Sequence, residues 1–268
     1  MSNISYQIQG TDLQYVEVTV PPGSSVFGEQ GAMMYMDEKL EVQSVLGDGS
    51  QSSFGAIGRL YKAIKRSFTG ESLFSNRYTN ASNSPQKVAF ATSSISKILA
   101  VNLAENGGQL ICQKGAYLAG EEGIETTLAF QKRLRVGFFG GEGFIMQRIT
   151  GKGVVFLNAS GALAEIDLLP GQNLRVDSGC LMAITSAVSY EIKYAGKLKT
   201  SFFGGEGLFY ANVKGPGKVW VQSLPEGRLG ATMMKAAMTG RTRGVGGKLY
   251  LLMIIIFVVI AIAGGSNS

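Results

Sequence analysis

The sequence predicts an all-β body made of three tandem, pseudo-symmetric β-units. Three observations predict it. Glycine fills 37 of the 268 positions, about twice the usual ~7% share. With only six prolines, and with 9% aromatic residues, the composition is neither collagenous nor of low complexity, so the glycines read as tight turns. A motif also recurs. Phe138-Phe139-Gly140-Gly141-Glu142-Gly143-Phe144 returns 64 positions later as Phe202-Phe203-Gly204-Gly205-Glu206-Gly207-Leu208. A weaker copy, Phe68-Thr69-Gly70-Glu71-Ser72-Leu73-Phe74, precedes both. Finally, short runs of alternating apolar and polar residues lie between the glycines, as half-buried strands require.

The first unit, about residues 1–95, opens with a strand expected over 13–20. Pro21-Pro22-Gly23 marks the turn after it, and Gly31-Ala32-Met33-Met34 begins the next apolar element. From its glycine to its glutamate this unit runs from Gly31 to Glu71, longer than the spacing from Gly115 to Glu142 or from Gly179 to Glu206. The excess falls at 47–65. There Phe54, Ile57, Tyr61, Ile64 and Phe68 share one face at helical spacing, with Arg59, Lys62, Lys65 and Arg66 on the opposite and flanking sides. That predicts one inserted amphipathic helix. Its apolar face suits packing on the sheet; alternatively, its basic face lies on an anionic membrane surface.

The second unit, about 96–160, carries strands expected at 99–103, 126–130 and 154–157. Its turn is Asn106-Gly107-Gly108, and its glycine-led element is Gly115-Ala116-Tyr117-Leu118. The third unit, about 161–226, repeats the order with Pro170-Gly171, Gly179-Cys180-Leu181-Met182 and strands at 190–194 and 219–221. In each unit one glutamate sits in the motif: Glu71, Glu142 and Glu206. A carboxylate among glycine amides accepts backbone N–H bonds and fixes a hairpin. If the three converge on the pseudo-axis instead, they form a site for a cation or a polar ligand.

Beyond the body, 227–248 reads as a basic, glycine-rich tether and 249–265 as a hydrophobic helix. The net charge of +6 belongs mostly to this end. Arg228, Lys235, Arg241, Arg243 and Lys248 face no acid from residue 228 onward, and the rest of the chain has 20 basic and 19 acidic residues. Leu249 to Ala263 contains no charge. Its length of about 22 Å as a helix is short of a ~30 Å bilayer core, but the flanking glycines extend it. The sequence thus predicts a single-pass tail anchor with the main domain on the cytoplasmic side. Lys235, Arg241, Arg243 and Lys248 would then lie at the membrane surface, with lipid as a partner.

Histidine is absent and there are two cysteines, Cys112 and Cys180. This excludes imidazole-dependent triads, Cys-His pairs, four-thiolate zinc and a disulfide scaffold. No catalytic residue, resident metal or cofactor is expected, and the near-neutral body argues against nucleic acid as a partner.

The glycine-led segments, the motif in its three forms and the basic helix before the first copy together resemble the altered inheritance of mitochondria protein 24 family, over roughly residues 1–226. The resemblance implies a fold related to the tryptophan RNA-binding attenuation protein, a compact prism of double-stranded β-helix type. It implies no catalytic reaction. The functional expectation is a non-enzymatic, membrane-tethered scaffold or binding module that forms homo-oligomers with an unidentified protein partner. The alternative is an oligomeric β protein, soluble, that binds RNA or a small polar ligand or cation.

Overall fold

The computed structural model describes residues 4–46, 74–92, 95–132, 144–194 and 209–225. They belong to one compact unit, Met1–Pro225, and they are all-β. In chain order the strands are β1 (Ser5–Gln9), β2 (Tyr15–Val20), β3 (Ser25–Glu29), β4 (Met33–Met36), β5 (Leu40–Leu46), β6 (Phe74–Asn80) and β7 (Gln86–Ala91). There follow β8 (Ser96–Asn102), β9 (Gln109–Gln113), β10 (Tyr117–Glu121), β11 (Glu125–Lys132), β12 (Phe144–Thr150) and β13 (Val154–Ser160). The last six are β14 (Leu163–Leu168), β15 (Asn173–Asp177), β16 (Leu181–Thr185), β17 (Ser189–Tyr194), β18 (Phe209–Lys214) and β19 (Gly217–Gln222). Each of the six runs expected to be strands falls on one of these: β2, β8, β11, β13, β17 and β19.

The strands form four antiparallel sheets, and none closes into a barrel. The first has the order β1-β2-β7-β4, the second β5-β6-β3-β10-β13-β8, the third β11-β12-β9-β16-β19-β14 and the fourth β15-β18-β17. Alternation along the strands decides which sheets share a core. Val16, Val18 and Phe90 of the first sheet meet Val26, Leu118 and Phe156 of the second. The opposite face of the second sheet, through Val155 and Leu157, meets Leu110, Cys112 and Ile149 of the third. Met146, Ile184 and Val219 on the far side of the third sheet then meet Val176, Ala211 and Val213 of the fourth. The sheets are therefore layered one on the next, with a separate apolar core in each gap. The middle layers bury both faces, and accordingly all seven residues of β13 are buried.

Turns form where glycine supplies the backbone. Gly23 and Gly171 have φ of 72° and 82°, left-handed values that cost other residues energy. These turns are tied to a distant strand end by the same bond three times. Asn80 donates its backbone N–H to the Ser24 carbonyl (2.9 Å), Gly151 to Gly108 (3.1 Å) and Gly215 to Gln172 (3.0 Å).

The expected single-pass membrane localisation, with a cytoplasmic main domain, is corrected. Among the described residues no helix is long and apolar enough to cross a membrane. A helical span needs about 20 apolar residues. The described body instead consists of strands and two short 3-10 turns, Leu103–Asn106 and Lys114–Ala116. Residues 249–265, which carried that expectation, lie outside the described residues, as do the tether at 227–248 and the helix expected at 54–68.

Candidate functional site

The second and third sheets are each assembled from strands distant in sequence. In the second, β10 joins β3 with Ala119 opposite Gly28, Gly120 opposite Phe27 and Glu121 opposite Val26. In the third, β16 joins β9 with Ala183 opposite Cys112, Ile184 opposite Ile111 and Thr185 opposite Leu110. These two seams each complete one of the two middle sheets. The strands at the corresponding places of the outer sheets, β4 and β15, are edges: among the described residues β4 pairs only with β7 and β15 only with β18. An edge presents unused N–H and C=O groups, a template for another strand.

β4, β10 and β16 share local construction. Each carries a bulge against its inner neighbour, at Met33/Tyr35, Tyr117/Ala119 and Leu181/Ala183. At the end of each stands a side-chain oxygen. Asp37 Oδ2 accepts the Lys87 backbone N–H (2.7 Å), Glu121 Oε2 that of Val154 (3.0 Å) and Thr185 Oγ1 that of Lys218 (3.1 Å). Glu121 is buried and its other oxygen accepts the Ile4 N–H at 3.1 Å. Beside the two formed seams, Asn158 donates to the Gly115 carbonyl (2.8 Å) and Gln222 to that of Gly179 (3.0 Å).

The exposed face beside β4 is polar and paired. Glu17 accepts the Lys87 ammonium at 2.7 Å and the Tyr35 hydroxyl. These bonds, that from Lys87 foremost, hold the Glu17 carboxyl below its usual range. The same bond raises the Lys87 ammonium, and the bond to Glu17 pushes Tyr35 up to about 12. In the third sheet Glu165 accepts Lys218 and, at 2.8 Å, the Trp220 indole N–H. Glu165 is lowered, chiefly by Lys218, and Lys218 is raised by Glu165. Both clusters are ion pairs with their charges satisfied at the surface. The Cys112 thiol is fully buried, and desolvation pushes it up to about 12, so it stays protonated and unreactive.

The residues singled out from sequence, Glu71, Glu142, Glu206, Arg59, Lys62, Lys65, Arg66, Lys235, Arg241, Arg243 and Lys248, lie outside the described residues. Sequence reasoning passed over Asp37, Glu121 and Thr185. Their signal was present: each stands six positions after Gly31, Gly115 or Gly179, and each has a side-chain oxygen. Among the described residues, no group of three or more His, Cys, Asp or Glu is placed to hold a metal ion.

A family model described as mitochondrial biogenesis AIM24 matches residues 6–224. The chain belongs to the AIM24 family. That match spans every strand of the described body except the first residue of β1. An uncharacterised protein from Streptococcus pyogenes serotype M6 is 30% identical over 212 residues, covering 78% of this chain and 81% of its own. The X-ray crystal structure of a Streptococcus pyogenes protein superposes with a TM-score of 0.69 at 25% identity, covering 87% of this chain and all of that one.

Proposed function

We propose that this AIM24-family chain is a non-enzymatic, self-assembling β-sheet scaffold built from three copies of one six-stranded unit, β2–β7, β8–β13 and β14–β19. The observation that carries the reading is the recurrence of one strand-joining contact, made twice inside the chain and, among the described residues, left unmade at its two outer edges. The placement of bulges and strand-end acceptors supports the three-copy reading. Glu17 with Lys87 and Glu165 with Lys218 form surface pairs, and the fully buried Cys112 thiol is held protonated, which suits a body whose work is to join strands. A chain that matches a family described by mitochondrial biogenesis and is also similar to streptococcal proteins fits a role residing in the fold and its contacts.

Sedimentation equilibrium of the full-length chain over a concentration series tests the proposal. Reversible association into a multimer is expected. A chain that remains monomeric throughout would remove the scaffold reading.

A further inference from the structure

We infer that β4 of one copy pairs antiparallel with β15 of a second copy, making the seam between copies that β3–β10 and β9–β16 make within a chain. The inference rests on the three-unit scaffold reading and names its partner: the chain itself, joined head to tail.

Exposure at corresponding positions is the first argument. Met33, Met34 and Tyr35 of β4 are 41%, 56% and 37% exposed. Their counterparts in β10 are Tyr117, Leu118 and Ala119, at 3%, 1% and 1%; in β16, Leu181, Met182 and Ala183 are wholly buried. In those two strands the preceding unit's core takes up two of the three residues, Leu118 and Ala119 in the first core and Met182 and Ala183 in the second, while Tyr117 and Leu181 lie in the cores of their own units. In β4 the corresponding Met33 and Met34 stand exposed on a sheet edge, beside Tyr35, whose hydroxyl is held by Glu17. Apolar surface of this kind marks an interaction site.

The register follows from the formed seams. β3, β9 and β15 are equivalent through their inner partners. Val26 faces Tyr78, Leu110 faces Ile149 and Leu174 faces Val213. Carrying Ala119–Gly28 and Ala183–Cys112 over to the open edges places Tyr35 opposite Val176, Met36 opposite Arg175 and Asp37 opposite Leu174. The Glu17–Lys87 pair beside β4 does not forbid this contact. Glu165 and Lys218 hold the corresponding places beside the formed β9–β16 seam and keep their ion pair there.

The layering selects a second copy over self-closure. The first sheet packs on the second, the second on the third and the third on the fourth, each across its own core. The strands β4 and β15 therefore sit in the two end layers, unpaired with each other. Joined between copies, the four strands of one end layer and the three of the other would make one continuous sheet. The contact is heterologous, so repetition extends the assembly until rotation closes it into a ring.

Cysteine cross-linking of the full-length chain tests the seam in a Cys180→Ser background, with Cys112 buried. Directly opposed residues in an antiparallel pair have Cα atoms about 4.5–5.5 Å apart, within disulfide reach. Tyr35→Cys chains mixed with Val176→Cys chains should form an oxidant-dependent dimer, and neither should do so alone. The chain carrying both substitutions should give a ladder of dimers and larger species. Pairing Tyr35→Cys with Arg175→Cys, whose side chain points to the other face, should give far less product. A cross-linked monomer from the double variant would show closure within one chain and overturn the inference, as would the absence of any product. Met34→Lys, at an exposed site, should leave the thermal midpoint in place and weaken self-association by at least about tenfold. Association that survives without cross-linking would sink this seam and leave the scaffold standing; a permanently monomeric chain would sink both.

Discussion

At the scale of single residues, Glu121 shows what a buried side-chain acceptor does for the fold: it closes two distant backbone N–H groups, those of Ile4 and Val154. Truncation to alanine takes this acceptor from both donors inside the protein, at about 1–3 kcal/mol each. Glu121→Ala should therefore lower stability to urea by about 2–6 kcal/mol, and Glu121→Gln by less. Equal losses for the two would argue against the acceptor role. Gly28 is fixed by space, not by backbone angle. A Cβ there would meet Phe90 Cε1 at 2.3 Å, so the ring or the strand must move. Gly28→Ala should cost about 1–3 kcal/mol, the usual range for overpacking, and a neutral result would mean that the ring swings clear. The surface pairs make a pH prediction. Glu17 and Glu165 titrate below their usual 4.5 in the folded state. Their stabilisation is therefore fully present above 4.5 and fades as pH falls through the lowered folded values. Lys87 and Lys218 lie above their usual 10.5, so their share is present below 10.5 and fades as pH rises through the raised folded values. The Glu17→Gln/Glu165→Gln variant should be less stable than wild type at neutral pH, by a margin that shrinks with salt and closes in acid. An unchanged gap at low pH, measured by urea midpoints, would contradict this.

At the scale of elements, strands were legible where one face is wet and the other dry. β2 and β17 alternate in the sequence because they alternate in burial. β13 was legible as an apolar run, but its burial on both faces was not, since a continuous run fits several environments. Leu157 in its middle is wholly buried between the second and third sheets. Leu157→Ala should cost about 2–5 kcal/mol, against a negligible loss for Leu169→Ala at an exposed turn; differential scanning calorimetry reads the contrast. β1 escaped notice, being short and mostly exposed. It is placed by tertiary partners: the Ile4 bond to Glu121 just before it and the edge-on packing of Tyr6 on Phe156, with ring centroids 4.9 Å apart.

At the scale of the whole molecule, the seams predict shared cooperativity. β10 and β16 each belong to one proposed unit and complete the sheet of another, so no unit can unfold without breaking a neighbour's sheet. Trp220, the sole tryptophan, lies in the core between the second and third sheets. Its fluorescence transition in urea should coincide with the loss of β-sheet signal by far-ultraviolet circular dichroism. A separate, earlier tryptophan transition would show that the units unfold independently.

The sequence by itself determined the all-β class, the places of the strands named from alternation, the turns and the AIM24 resemblance. These are local facts, set by alternation, by glycine at left-handed turns and by motif spacing. It also suggested a membrane-spanning chain, because a hydropathy pattern speaks only of the segment that carries it. The tertiary structure decided which strands lie side by side, that Glu121 reaches Ile4 across the fold, and that β4 and β15 end their sheets. Strand pairing is a relation between residues far apart in the chain. Open and closed edges carry the same local alternation, so only the assembled sheets separate an edge from a seam.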